Sequence, residues 1–441
     1  MMNMNIFSET ITKFKAPNNG SGPLWCYGSP TIIRNGNDLY ATVMEVDGEA
    51  VPLNNTVLTL YHKRKNAPWK RVFRDDFLQR EPCPIAMIPG NLIVSTNPSL
   101  RPKKTSGERE AAMSSRPVLY FFDFDTDKTD DAPRYVKSVI PGWDNPDYGF
   151  SSHTYRALAA DADSGEILLM SQCLMPGGNW DWRHCWSVLD KNGVYVNGGI
   201  AEYPVRSCYQ SAAVKNGTAH AFAVSDIIEP NEEWRLYKKE RTGNEWDYDF
   251  RILYYSYAGD IRRGNFGAPV VIASADETCG HARPADIYVD DSGDAHLIYS
   301  IRNVWHTFMR DKFFPSLQLS ASFGYCRMRD GDIVEQYNID EAQETKENEG
   351  SVGSFSGFFH VSADKRLRVF YHRDNVCDNR GNGWHVTEIT ASGASNAVNI
   401  PDLGFTNCFN VKPRMGTDPS DFVDIYGVSG DEIKYARITL E

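Results

Sequence analysis

The sequence predicts an all-β fold, a seven-bladed β-propeller of four-stranded antiparallel blades, on three observations. One β-hairpin signature recurs about seven times from end to end, with starts separated by roughly 55 to 75 residues, the kind of period that closed arrays show. Four strands and their turns take roughly 40 to 50 residues, so each interval holds one blade with length left over for loops. No long segment sustains a 3.6-residue hydrophobic period, which limits helices to short pieces in those loops. A two-domain β-sandwich also has many short strands, but it does not need one signature repeated along the whole chain.

The copies run in order. Gly28–Val43 turns at Asn35-Gly36, a strong two-residue hairpin signal, and Glu81–Ser95 turns at Pro89-Gly90. Ser151–Ser171 carries an apolar run, the turn Asp161-Ala-Asp-Ser-Gly165 and a second apolar run from Ile167 to Met170. Tyr209–Val224, Arg283–Tyr299, Ser354–Tyr371 and Lys412–Tyr426 follow. Runs between the copies, such as Val57–Tyr61, Pro117–Phe122 and Ile252–Tyr257, supply the middle and outer strands. Residues 1–441 read as a single propeller domain in which residues 1–23 form an N-terminal segment that helps to close the ring.

Composition narrows the function. At 41% hydrophobic and 12% aromatic residues the chain has material for a large core. A formal net charge of −12 argues against nucleic acid as a partner, since phosphate binding needs a basic face, yet a few convergent arginines can still make one pocket attractive to an anion. The charged run Asp340–Glu349 reads as a solvated loop between blades. Nine cysteines without framework spacing indicate reduced thiols, and the N-terminus has neither the basic region nor the apolar core of a signal peptide. The chain as given therefore predicts a cytoplasmic protein, or a secreted or periplasmic one if a leader has been removed. It contains no membrane span, and a monomer or weak homo-oligomer is expected.

In a propeller the innermost strands line the axis, so the residues that begin each hairpin converge on one face. Collected, they are Tyr27, Arg80, Glu81, His153, Tyr155, Arg156, Arg206, Tyr209, Gln210, His281, Arg283, Lys412 and Arg414. Arginine binds carboxylate or sulfate through two parallel hydrogen bonds, and histidine and tyrosine transfer protons, so the funnel predicts an acidic oligo- or polysaccharide as partner. The loop Gly177–Trp186 adds Trp182 and His184 to the substrate-binding candidates, with Trp180 and Trp186 as further stacking surfaces or blade-packing residues. A second rim loop is expected over Asn303–Pro315. No cofactor is required and no metal ligands are assigned, although Cys279, His281, Cys326, His372 and Cys377 leave room for a structural zinc, or calcium elsewhere.

The hairpins together with Ser152–Arg156, Tyr209–Ser211, Trp234–Tyr237 and Phe250–Tyr255 resemble the BNR-repeat, sialidase-like propeller proteins that include ulvan lyases and other uronate-acting polysaccharide lyases. The resemblance runs from about residue 24 to the end. It implies a carbohydrate-active lyase in which His153 and Tyr209 transfer protons and Arg235 neutralises the uronate carboxylate. Tyr254 or Tyr255 and Arg283 then stand near the substrate. The Asp-box of true sialidases is missing, and Gln172 and Cys173 stand where an ulvan lyase has a second groove histidine. Either His184 takes that role or the substrate is not ulvan. The alternatives are an exo-glycoside hydrolase, with Glu81, Glu202 and Asp286 as the best-placed acids, and a non-catalytic glycan-binding propeller.

Overall fold

Tight turns set the inner hairpins. Asn216 and Gly217 both have positive φ (51° and 82°), the backbone of a type I′ turn, and Lys215 pairs with Thr218 across it. In the computed structural model, which describes residues 4–26, 28, 30–105, 114–124, 133–177, 180–244, 248–346, 349–378, 380–405 and 407–440, each such hairpin forms the inner half of an antiparallel blade.

Taken from the axis outward, blade 1 is Ile32–Asn35, Asp38–Val46, Thr56–Lys63 and Lys70–Gln79. Blade 2 is Ile85–Ile88, Asn91–Thr96, Val118–Asp123 and Arg134–Val139, and blade 3 is Ala157–Asp161, Glu166–Leu174, Trp182–Leu189 and Tyr195–Ala201. Ser207–Lys215, Thr218–Ser225, Ile252–Ala258 and Val270–Ser274 make blade 4, and His281–Val289, Ala295–Arg302, Ser320–Arg329 and Asp332–Gln343 make blade 5. Blade 6 is Ser354–Val361, Leu367–Asp374 and Gly383–Thr390, edged by the short strands Gly393–Ala394 and Val398–Asn399. In blade 7, Cys408–Asn410, Phe422–Ser429 and Glu432–Leu440 are completed by the N-terminal strand Met4–Lys13, paired from Met4↔Leu440 to Lys13↔Glu432. Joining the two ends of the chain in one sheet closes the ring and removes an exposed edge.

The core consists of layers between blades. Phe358, Phe370, Trp384, Val423 and Ile425 fill the gap between blades 6 and 7, and Ile32, Leu39, Tyr426 and Tyr435 that between blades 7 and 1. Inner and middle strands are covered on both sides and are buried almost throughout, as in Ala157–Asp161, whereas the outer strand Arg134–Val139 is mostly exposed. Two short helices sit in the loops between second and third strands: α1 (Glu232–Thr242) in blade 4, capped by the Asn231 side chain, and α2 (Thr307–Phe313) in blade 5, inside the predicted rim loop. They pack together through Trp234, Tyr237 and Phe313 on the face where the innermost strands begin, called the upper face below. Among the described residues no helix is long and apolar enough to cross a membrane.

Two expectations are corrected here. The last hairpin starts earlier than the sequence suggests: its inner strand is Cys408–Asn410, and Lys412–Thr417 is a loop. Pro413 cannot donate to a ladder; instead the Met415 carbonyl accepts from Met87 N–H (2.7 Å) and the Arg414 carbonyl from Ala160 N–H (2.9 Å), so the loop ties into blades 2 and 3. It brings Lys412 and Arg414 onto Asp286 at 2.5 and 3.5 Å, all three buried, while Asp286 also accepts from Phe359 N–H (2.9 Å). Lys412 and Arg414 thus close the axis instead of lining an open funnel. The acidic run Asp340–Glu349 is also not merely solvated: Asp340 is buried between Arg373 (3.1 Å) and Arg380 (2.7 Å), and Glu344 holds Arg310 at 2.8 Å. Residues 347 and 348 of that run lie outside the described residues.

Candidate functional site

The lead-in to blade 3 is fixed from below by charge. Glu81, buried at the blade 2–3 junction, accepts hydrogen bonds from Thr154 N–H (2.6 Å) and Thr154 Oγ1 (2.9 Å). His153 Nδ1 stands 3.6 Å from Glu81 Oε1 and Arg156 Nε 3.8 Å from Oε2. Burial alone would raise the Glu81 carboxyl, but the neighbouring His153 and Arg156 and the Thr154 N–H outweigh it and hold it below the ordinary glutamate value. Arg156 is itself buried, donating to Ser95 Oγ (3.0 Å) and the Pro82 carbonyl (2.9 Å). Glu81 and Arg156 therefore position the loop from beneath, and the predicted direct contact with substrate does not fit their burial.

Above this base four rings gather. His153, whose side chain is 26% exposed, lies 4.5 Å from the Tyr155 ring and 5.1 Å from Trp25, and Tyr209 lies 4.9 Å from Tyr155. Tyr155 and Tyr209 both have left-handed backbone (φ 44° and 51°), a conformation that costs free energy in non-glycine residues and clusters at functional sites. At Tyr209 the pairing of blade 4 slips between Cys208 and Ser211, a bulge that re-aims the side chain. The chain before blade 1 presses on this bulge: a Cβ on Gly28 would lie 2.0 Å from the Gln210 carbonyl oxygen, so only glycine fits. Burial, with help from Cys208 and Asp226, pushes the Tyr155 phenol up against the opposing pull of Arg206, which keeps it protonated.

Arg206 and Asp226 flank the cluster, 3.1 Å apart. Asp226 is buried, and burial lifts its carboxyl above the usual aspartate range although Arg206 and His153 pull it down. Arg206 also lines a groove of about 250 Å³ with Trp180, Trp182, Arg183 and Tyr203. Trp182 thus lies at an open groove, with Trp180 80% exposed beside it, whereas Trp186 is fully buried and donates to Asn265 Oδ1 (3.0 Å). His184 also lines this groove, but it is largely buried with Nε2 at the Ser207 carbonyl (2.6 Å), and burial lowers its pKa to about 4.

From Tyr209 the aromatic wall continues through Phe250 (5.6 Å) and His281 (5.9 Å) to Trp305 (4.1 Å). His281 and Arg283 line a second cleft on the upper face with Arg302 and Trp305. Arg235 is not part of either site: it is exposed on α1 and donates to the Glu229 carbonyl (3.2 Å). Tyr254 and Tyr255 belong to the body of blade 4, Tyr254 against Tyr203 and Tyr255 donating or accepting at His220 Nδ1 (2.7 Å), both buried. Arg80 anchors the N-terminal segment through the Asn19 carbonyl (2.9 Å). Tyr27 lies outside the described residues, as do Gly178 and Asn179 of the tryptophan-rich loop. The suggested zinc ligands do not form a site: among the described residues no group of three His, Cys, Asp or Glu is arranged to hold a metal, and Cys279 instead lies 3.1 Å from Arg251 Nη2. Sequence reasoning missed Trp25, Asp226 and Arg302.

Buried neutral histidines make the fold acid-sensitive. Burial lowers His184 and His360 to about 4 and His220 to about 3, against 6.5 unfolded. The unfolded chain therefore binds more protons below pH 6.5, so the stability present above that value is lost progressively as the pH falls toward about 4 and then 3. Melting temperature measured against pH is expected to decline through this window; a flat profile contradicts it.

No family model matches this chain, and no curated protein sequence matches it. Among solved structures, an alpha-L-arabinanase of Penicillium chrysogenum complexed with arabinobiose is similar at 10% identity over 98% of each chain, with a TM-score of 0.42. The periplasmic gluconolactonase of Pseudomonas aeruginosa is similar at 12% identity over 89% of this chain and 94% of that one, TM-score 0.43. Trypanosoma rangeli sialidase with the inhibitor DANA is similar at 10% identity over 87% of this chain and 60% of that one, TM-score 0.42. Likeness of this degree does not extend to activity.

Proposed function

We propose that the protein cleaves an acidic, uronate-containing poly- or oligosaccharide by β-elimination at the upper-face cluster. His153, backed at Nδ1 by the Glu81 carboxylate, removes the proton at C5 of the uronate. The C4–O bond then breaks, a C4=C5 double bond forms, and Tyr209 protonates the departing oxygen. Arg206, 31% exposed at its side chain, stands where it can face the substrate carboxylate and offset the charge that develops on it. The observation that carries this reading is the convergence of His153 and Tyr209 on one ring cluster, while Glu81, Glu202 and Asp286, the acids the sequence offers a hydrolase, are out of position. Glu81 and Asp286 are sealed in the interior, and Glu202 is held by Arg183 (2.6 Å) on the outer surface.

Asp226 favours a second reading, hydrolysis with its raised carboxyl as the proton donor. Product analysis separates the two. Incubation with uronate polymers is expected to give fragments that absorb in the ultraviolet as conjugated unsaturated uronates and whose masses sum to that of the substrate. Fragments that have gained water and lack the chromophore overturn elimination.

A further inference from the structure

Several buried guanidiniums in this fold have acid partners: Arg34 has Asp424, Arg251 has Glu229 and Arg373 has Asp340. Arg302 differs. It ends the second strand of blade 5, opposite His281 in the ladder, with its guanidinium 5.2 Å from the Trp305 ring centroid. Among the described residues no carboxylate pairs with it, its buried Nε has no acceptor, and burial lowers its pKa with no acid to oppose the effect. Its cation–π contact with Trp305 is the favourable interaction of the charge, and no acid among the described residues offsets the cost of its burial.

Arg302 faces a cleft of about 250 Å³ on the upper face that it shares with His281, Arg283, Trp305, His372 and Asp374. Two guanidiniums stand there against one carboxylate, that of the exposed Asp374. His281 is pulled to about 3 by burial and then by Arg283, Arg302 and His306, and so stays neutral and leaves the arginines to set the potential. The cleft connects to the His153–Tyr209 cluster along the wall formed by Phe250 and His281.

We infer that this cleft is a second anion-recognition subsite, in which Arg302 and Arg283 hold the carboxylate or sulfate of a sugar unit flanking the one that reacts. The inference rests on the carbohydrate reading above and extends it to a ligand with anionic groups on more than one unit. Arg302 binds through two parallel N–H donors, the geometry that suits a planar carboxylate or a sulfate face.

Calorimetric titration with sodium glucuronate, sodium sulfate and glucose tests it. Glucuronate, sulfate or both are expected to bind the wild-type chain, glucose is not, and Arg302→Gln is expected to weaken the anion at least tenfold (~1.4 kcal/mol) without lowering Tm. Preference for glucuronate identifies a carboxylate as the natural group, and preference for sulfate a sulfate ester. Failure of both anions to bind wild type, or equal binding by Arg302→Gln, overturns the subsite. A second measurement needs no variant: phenylglyoxal modification of Arg302, read by peptide mass spectrometry, should be slowed by the bound anion and not by glucose. Equal modification with and without anion also overturns it. Anion binding lost in Arg302→Gln with no unsaturated product from wild type rejects elimination alone; unsaturated product with no Arg302-dependent binding rejects the subsite alone.

Discussion

His153→Ala is expected to lower turnover of a uronate polymer by roughly 10²–10⁴-fold, the range that a positioned general base contributes. The fold should tolerate the change. The imidazole is 26% exposed, its ring contacts are with Trp25 and Tyr155, and Glu81 keeps Thr154 and Arg156 after its loss. The melting temperature should therefore stay near the wild-type value while kcat falls, a split that a merely structural histidine does not produce. Tyr209→Phe supplies the companion result: it keeps the ring contacts with Trp25, Tyr155 and Phe250 and removes only the hydroxyl. Wild-type turnover in both variants contradicts the assignment.

Asp286→Ala is expected to cost about 3–5 kcal/mol of stability, the usual consequence of removing one partner of a buried ion pair. At the axis the effect is concentrated, because the single carboxylate answers both Lys412 and Arg414 and also accepts the Phe359 N–H. Burial already lowers the Lys412 ammonium to about 8 with Asp286 opposing the shift. Without the carboxylate, two buried cations and a backbone donor lose their shared acceptor where blades 4 to 7 meet. Calorimetry or circular dichroism should show a markedly lower Tm, and an unchanged Tm contradicts the role of Asp286 as the axial tie.

The fold was legible because its signals are local and repeated. Asn216-Gly217 specifies a two-residue turn, the first hairpin turns on Gly36-Asn37, one position later than Asn35-Gly36 suggests, and the recurrence of such turns gives the radial arrangement. The last hairpin was misplaced because Lys412–Thr417 makes its backbone bonds to blades 2 and 3, contacts that no local pattern encodes. The site was legible in the same proportion. His153, Tyr155 and Tyr209 begin inner strands and do converge, but Arg156 and Glu81, in equivalent positions, turn inward to satisfy each other. Arg235 was carried over by resemblance onto what is an exposed helical turn. Asp226 and Arg302 went unnoticed for a geometric reason that the sequence does contain. In an antiparallel hairpin the end of the second strand returns to the face where the first began, so Asp226 lies beside Arg206 and Arg302 opposite His281. Pairing strand starts with the matching strand ends would have found both. Trp25 had no such signal, since it precedes the first repeat and reaches the cluster only because the segment before blade 1 folds over the upper face.

The most direct test is a structure of His153→Ala soaked with a uronate tetrasaccharide, since the variant is expected to bind without cleaving. The account predicts electron density across the upper face, with one glycosidic oxygen beside the Tyr209 hydroxyl and the adjoining uronate carboxylate toward Arg206. Density confined to another surface, or a sugar ordered with Tyr209 and the vacated His153 position both out of reach, would contradict it.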